Sequence, residues 1–290
     1  MSLLSHLQAS PEFLAACTFL LGLCIGSFLN VVIARLPRMM EQTWRMECAE
    51  LLEDESLKPT EPVSLIKPNS CCPHCKAAIK PWQNIPVISY LLLGGRCKQC
   101  KTRISLQYPL VELLTGILSV VIVWNFGWSW QALAALFLTW ALIALAVIDL
   151  HHQLLPDDIT LPFLWLGLLL SVTGLFTNTV DSILGAVIGY MSLWLVYQAF
   201  RLLTGKEGMG FGDFKLFALF GAWLGWQSLP LIVLLSSVTG AATATVLLLL
   251  RKLPEDRAIP FGPFLAAAGW LALVAGDRLV AWYWSVSGIA

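Results

Sequence analysis

Long apolar stretches alternate with short polar breaks along most of the chain. From Ile104 to Ile148 the only ionisable carboxylate is Glu112, and there is no Lys or Arg. From Ile159 to Phe200 the only charge is Asp181, and from Leu216 to Leu250 there is none. A helix needs about 20 apolar residues to cross the hydrocarbon core of a bilayer. The pattern predicts eight such helices, over 12–34, 107–124, 130–149, 159–177, 182–202, 213–226, 229–250 and 261–285, the sixth of them short. Residues 1–11 carry no Lys or Arg. They lack the basic start of a secretory signal, so the first span is expected to persist in the mature protein.

Composition agrees. Of the 290 residues 58% are hydrophobic and 12% charged, with 18 basic and 18 acidic side chains. Soluble chains carry roughly 25% charged residues. A disordered chain, a coiled coil, a nucleic-acid-binding arm and a small disulfide scaffold are excluded, and the lipid bilayer is the expected partner of most of the surface. The fold class is thus an all-α polytopic membrane protein.

Sidedness follows from the basic residues, which concentrate on the cytoplasmic side of membrane proteins. Eleven of the 18 lie between Arg35 and Arg103; Arg201, Lys206 and Lys215 form a second group and Arg251, Lys252 and Arg257 a third. Putting all three groups inside requires an even number of spans with both termini outside. Trp124, Trp128 and Trp130 crowd one outer edge and Trp282 and Trp284 another, as an interfacial aromatic belt would. Asp149 and Asp213 then share the cytoplasmic layer.

Residues 35–106 are the one extended polar segment, too rich in Cys, Lys and Glu for lipid. They hold Cys72-Pro-His-Cys75 and Cys97-Lys-Gln-Cys100. Four thiolates at this spacing can close a tetrahedron round zinc. Two disulfides are the other reading, disfavoured by a reducing cytoplasm. With four protein ligands the zinc would be structural, leaving no open coordination position. Cys71 and His74 are spare donors expected to point away. The organisation expected is a first transmembrane helix (1–34), a cytoplasmic zinc-binding domain with four cysteine ligands (35–106) and a polytopic membrane domain with both aspartates (107–290).

Ionisable groups within or beside spans are expensive and are functional candidates. Asp181 and one or both of Asp157 and Asp158 are expected to cap helices. Glu112, a turn inside its span, is expected to pair with a basic residue or to shape a polar cavity. His151 and His152 are read as solvated at the interface. Asp149 ends a helix, where the dipole disfavours a negative charge. Asp213 follows Gly210-Phe211-Gly212, whose glycines let another backbone approach. Two carboxylates brought together can share one proton, one acting as base and one as acid. This is aspartic-protease chemistry, and an ion-coupled transporter uses the same ingredients. Transporters often show inverted repeats, and none is evident here. A scaffold anchoring a zinc module would leave both aspartates unexplained.

These residues carry a close resemblance to the bifunctional type IV prepilin leader peptidase/N-methyltransferase family, over nearly the whole chain. The matching motifs are Gly26-Ser-Phe-Leu-Asn-Val-Val-Ile-Ala-Arg35-Leu-Pro, the two CxxC pairs with Gly94-Gly95-Arg96, Tyr108-Pro-Leu-Val-Glu112, and Asp149-Leu-His-His-Gln-Leu-Leu-Pro156-Asp157. The Gly210-Phe211-Gly212-Asp213 segment has the GxGD pattern of intramembrane aspartic proteases, and Pro260-Phe-Gly-Pro263-Phe is also typical. The resemblance implies a bacterial inner-membrane enzyme that cleaves the basic leader of type IV prepilins and type II secretion pseudopilins after Gly at the cytoplasmic face. It then N-methylates the new terminal residue with S-adenosylmethionine. It implies catalytic Asp149 and Asp213, and it points to Gly95 for the methyltransferase function, where the sequence itself favours a tight turn. Lys215, two residues beyond Asp213, is expected to favour that carboxylate's ionised form.

Overall fold

The structure is a computed structural model and describes residues 10–54, 56, 63–67, 69–206, 208–250 and 259–287. Arg251, Lys252 and Arg257, and the side chains of Trp282 and Trp284, lie outside the described set. Nine α-helices are described: α1 (Pro11–Leu51), α2 (Ile88–Leu92), α3 (Gln107–Phe126), α4 (Trp130–His152), α5 (Asp157–Ser171), α6 (Thr179–Thr204), α7 (Phe211–Leu224), α8 (Leu229–Leu249) and α9 (Gly262–Ser287). Among the described residues there is no strand, only two isolated bridges.

A helix stands at each of the eight expected spans. Five are long and apolar enough to cross a membrane: α1, α3, α4, α6, and α8 counted with the turn before it. The chain is a membrane protein by that measure. The 15 residues of α5 and 14 of α7 rise only about 21–23 Å, short of the roughly 30 Å of hydrocarbon. In α9 the helix breaks at Ala275, whose φ of −136° and ψ of 15° are not helical.

The chain forms two compact units, residues 1–132 and 133–290. In the first, α1 and α3 pack closely because α1 presents Gly22 and Gly26, one turn apart. A Cβ on Gly22 would fall 2.8 Å from Gly116 Cα, and one on Gly26 2.6 Å from Glu112 Cα. Small residues spaced by four let two backbones approach where lipid supplies no hydrophobic drive. Beyond the expected span edge at 34, α1 runs on to Leu51, through Pro37. Arg35 ties the following chain to it, donating to the carbonyls of Ser64 and Leu65 at 3.0 and 3.1 Å.

In the second unit α7 is the centre. Every residue from Leu216 to Trp223 is buried, the mark of a helix apolar all round. It packs against α5, α6 and α9. Gly185 of α6 and Gly221 of α7 meet backbone to backbone, with no room for a Cβ on either. Hydrogen bonds cross the same seams: Ser182 Oγ donates to the Ala222 carbonyl at 2.6 Å, and Trp223 Nε1 to the Phe163 carbonyl at 2.8 Å. The outer face of α6 exposes Val180, Ile183, Leu184, Val187 and Leu195, which suits a lipid solvent and would be a liability in water.

Candidate functional site

Asp149 lies in the last turn of α4 and Asp213 in the first turn of α7, and both are buried. Leu155 links the two: it packs against Gly212, next to Asp213, and against Gly262, whose N–H binds Asp149. The glycines of the GxGD segment have a steric reason. A Cβ on Gly212 would meet Leu155 Cβ at 2.7 Å, so Gly212 lets the start of α7 settle against the chain that follows α4. Asp213 occupies the end of its helix that favours a negative charge.

The unfavourable placement of Asp149 at a helix C-terminus is resolved from elsewhere. Gly262, at the start of α9, donates its N–H to Asp149 Oδ2 at 3.0 Å. A helix N-terminus presents free N–H groups to anions, so each carboxylate has one: Asp213 its own and Asp149 that of α9. A Cβ on Gly262 would come within 2.6 Å of Asp149 Oδ2 and 3.2 Å of Leu155 Cδ2. Sequence reasoning noted the Pro260–Pro263 motif but missed this role. The signal available was a Gly at the start of a helix in a Pro-bracketed turn.

Three expectations are corrected. Lys215 does not serve Asp213; its Nζ is held by Asp157 at 2.6 Å, because two residues along a helix put side chains on different faces. Asp157 is therefore an ion-pair partner, and α5 begins after Pro156 without a side-chain cap from either Asp157 or Asp158. At α6 the cap is Asn178, which accepts the N–H of Asp181 at 2.9 Å. Asp181 accepts in turn from Asn178 Nδ2 at 2.7 Å and from Trp226 Nε1 at 3.0 Å. Glu112 is buried with no ion pair among the described residues; it accepts the Val87 N–H at 2.7 Å.

In the first unit Cys72, Cys75, Cys97 and Cys100 come together, their Sγ atoms all within 4.8 Å of one another. Cys72 and Cys100 are 3.8 Å apart, and Cys75 and Cys97 4.0 Å. Tetrahedral bonds of about 2.3 Å put sulfurs about 3.8 Å apart, so the donor set fits zinc. Each knuckle is built alike. The N–H groups of Lys76 and Lys101 return to the carbonyls of Cys72 and Cys97, and both lysines adopt positive φ, 57° and 60°. The Thr102 hydroxyl and N–H hold the Cys100 thiol down to about 6. At Cys75 the Ala77 N–H favours the thiolate, but desolvation and the other three thiols push it up to about 11. Four such groups ionise together only round a cation. Cys71 and His74 stand outside the cluster, both exposed.

Beside this cluster a cleft of about 470 Å³ is lined by Tyr90, Gly94, Gly95, Arg96, Arg103, Ile104 and Leu106. Gly95 has φ of 65°, and a Cβ there would lie 2.8 Å from the Tyr90 hydroxyl. The turn reading is met, and the missing side chain makes room for the Tyr90 hydroxyl.

Residues 20–126 match the family described as Bacterial Peptidase A24 N-terminal domain, and residues 136–245 the Type IV leader peptidase family. The chain is 52% identical over 288 residues to the prepilin leader peptidase/N-methyltransferase of Pseudomonas aeruginosa, covering 99% of each. It is 51% identical to that of Aeromonas hydrophila, covering 97% of each, and 46% identical to that of Neisseria gonorrhoeae, covering 97% of this chain and 98% of the relative. No solved structure matches.

Proposed function

The chain belongs to the type IV leader peptidase family, and from that premise we propose that it cleaves prepilin and pseudopilin leaders after Gly and N-methylates the new terminus. It is an enzyme of two activities, peptidase and methyltransferase. The observation that carries the peptidase reading is that Asp149 and Asp213 are both buried, flank Leu155, and are each set at a helix N-terminus.

In this reading one aspartate is ionised and takes a proton from water. The water oxygen attacks the carbonyl carbon of the scissile Gly, whose oxygen accepts a proton from the other aspartate. Collapse of the tetrahedral intermediate breaks the C–N bond, and the leaving amine takes up a proton. The Gly262 N–H holds Asp149 in place. The basic leader approaches from the cytoplasmic face of the inner membrane, the side assigned by the basic loops.

Methylation falls to the first unit. S-adenosylmethionine, when bound, supplies an electrophilic methyl group. The cleft at Gly95 suits such a cofactor in its donors: Arg96 and Arg103 line it and offer guanidinium groups for a carboxylate, beside Tyr90. Zinc would be held by Cys72, Cys75, Cys97 and Cys100, with a structural role.

The test is product mass. Detergent-solubilised protein is incubated with a prepilin peptide and S-adenosylmethionine beside Asp149→Asn and Asp213→Asn. Wild type is expected to lose the leader mass and gain one methyl. Each variant is expected to cleave at least about 1,000-fold more slowly, from loss of acid–base catalysis and its electrostatic partner. Cleavage surviving in both would overturn the two-aspartate mechanism.

A further inference from the structure

The first unit holds a buried acid that the mechanism above does not use. Glu112 is 7% exposed, in α3. Among the described residues no Lys, Arg or His pairs with it, and its partners are the Val87 N–H and the Ser27 side chain. A buried carboxylate without a counter-charge is costly and marks a site at membrane depth.

A further buried acceptor stands on the same seam between α1 and α3. Asn30, 4% exposed, donates its amide to the Tyr108 carbonyl at 3.0 Å, one turn before Glu112 on α3. Asn30 Oδ1 is buried with no hydrogen-bond partner. Asn30 is also one turn beyond Gly26, which packs on Glu112 Cα. Ser27 adds a hydroxyl, bonded to the exposed Asn84 at 3.4 Å, so the cluster opens to the surface on that side. Val87, a β-branched residue, is held at φ of 59° to present its N–H to Glu112. Such conformations are strained and cluster at functional sites.

We propose that Glu112, Asn30 and Ser27 form the receptor for the α-ammonium of the cleaved substrate, with Glu112 taking the proton that frees the amine for methylation. This rests on the methyltransferase reading. An ammonium has three N–H donors, to match a Glu112 carboxylate oxygen, Asn30 Oδ1 and Ser27 Oγ; the cofactor's amino-acid end carries an ammonium too, and the S-adenosylhomocysteine measurement below separates the two. The short α2 connects the two places, since Val87 before it binds Glu112 and Tyr90 within it lines the cleft. The step balances: Glu112 accepts one ammonium proton, the amine lone pair forms the N–CH3 bond, the S–CH3 bond breaks, and its electrons stay on the now neutral sulfur. The product leaves as the N-methylammonium, and Glu112 releases the proton it accepted to solvent, ready for the next turnover.

The test uses the full chain in detergent with a pre-cleaved pilin peptide. Glu112→Gln keeps an acceptor for Val87 and Ser27 but removes the charge. It is expected to methylate at least about 100-fold more slowly, within the usual span for a lost general base, while its affinity for S-adenosylhomocysteine stays within threefold. Leader cleavage, whose residues lie in the second unit, reports that the variant is folded. Methylation within threefold of wild type, or a tenfold loss of S-adenosylhomocysteine affinity, would overturn the proposal. A second arm needs no variant. Excess peptide acetylated on its α-nitrogen is expected to inhibit wild-type methylation at least tenfold less well than a free-amine competitor, and equal inhibition would overturn the proposal. A folded wild type that cleaves but never methylates would overturn the methyltransferase reading itself, and this inference with it.

Discussion

The N–H of Gly262 reaches Asp149 Oδ2 at 3.0 Å, so the first turn of α9 steadies a carboxylate at the end of α4. A methyl group at 262 would intrude within 2.6 Å of that oxygen. Gly262→Ala is expected to lower kcat/KM for leader cleavage about 10- to 100-fold, or about 1.4–2.7 kcal/mol of transition-state stabilisation. Circular dichroism should stay unchanged. Wild-type kinetics from this variant would show that Asp149 needs no fixed position.

Lys215 is bound to Asp157, with side chains 27% and 50% exposed. Partly exposed pairs contribute about 0–1 kcal/mol. Lys215→Met and Asp157→Asn are each expected to leave the cleavage pH profile in place and to change the melting temperature only slightly. A shifted profile in Lys215→Met alone would restore Lys215 as a partner of Asp213.

Gly185 and Gly221 bring α6 and α7 together with no space for a side chain. Overpacking of this kind costs typically about 1–3 kcal/mol, and backbone cannot move aside as a side chain can. Gly221→Val should lower the detergent melting temperature sharply and cut the yield of monodisperse protein. Thermal unfolding followed by tryptophan fluorescence measures it.

Four thiols within 4.8 Å of one another should hold about one zinc per chain by elemental analysis. Replacing Cys72 and Cys97 together by Ser is expected to abolish that metal. Limited proteolysis should then cut between 70 and 103 while α4–α9 stay resistant, because the metal contributes to folding only where it binds.

At Gly95 the backbone is left-handed and faces Tyr90. Gly95→Leu should reduce methylation at least tenfold and leave leader removal intact, both read as mass shifts of one prepilin peptide.

The helices were legible from the spacing of charges, since 35 uncharged residues from Leu216 to Leu250 permit little else. The cluster of four cysteines was legible for a related reason: CxxC already fixes the local geometry of two ligands. Less legible was what depends on contacts between distant segments. Nothing in local sequence says that Gly262 serves Asp149, 113 residues away, or that Lys215 turns to Asp157. Helix edges were blurred wherever a helix outlasts its apolar stretch, as α1 does by running to Leu51. Gly22-x-x-x-Gly26 and Gly185-x-x-x-Gly189 were readable as close-packing signals, but hydropathy alone passes over them.

The burial of α7 on all sides has a consequence for how this chain can drift. α8 is just as apolar, yet buries only Leu229, Ile232 and Ser236, so its remaining positions ask for little beyond solubility in lipid. Interchanging Leu, Val, Ile and Phe there should be close to neutral. In α7 the same exchanges change volumes inside a filled space. Two neighbouring helices of equal greasiness should therefore diverge at different rates, the slow one carrying Asp213.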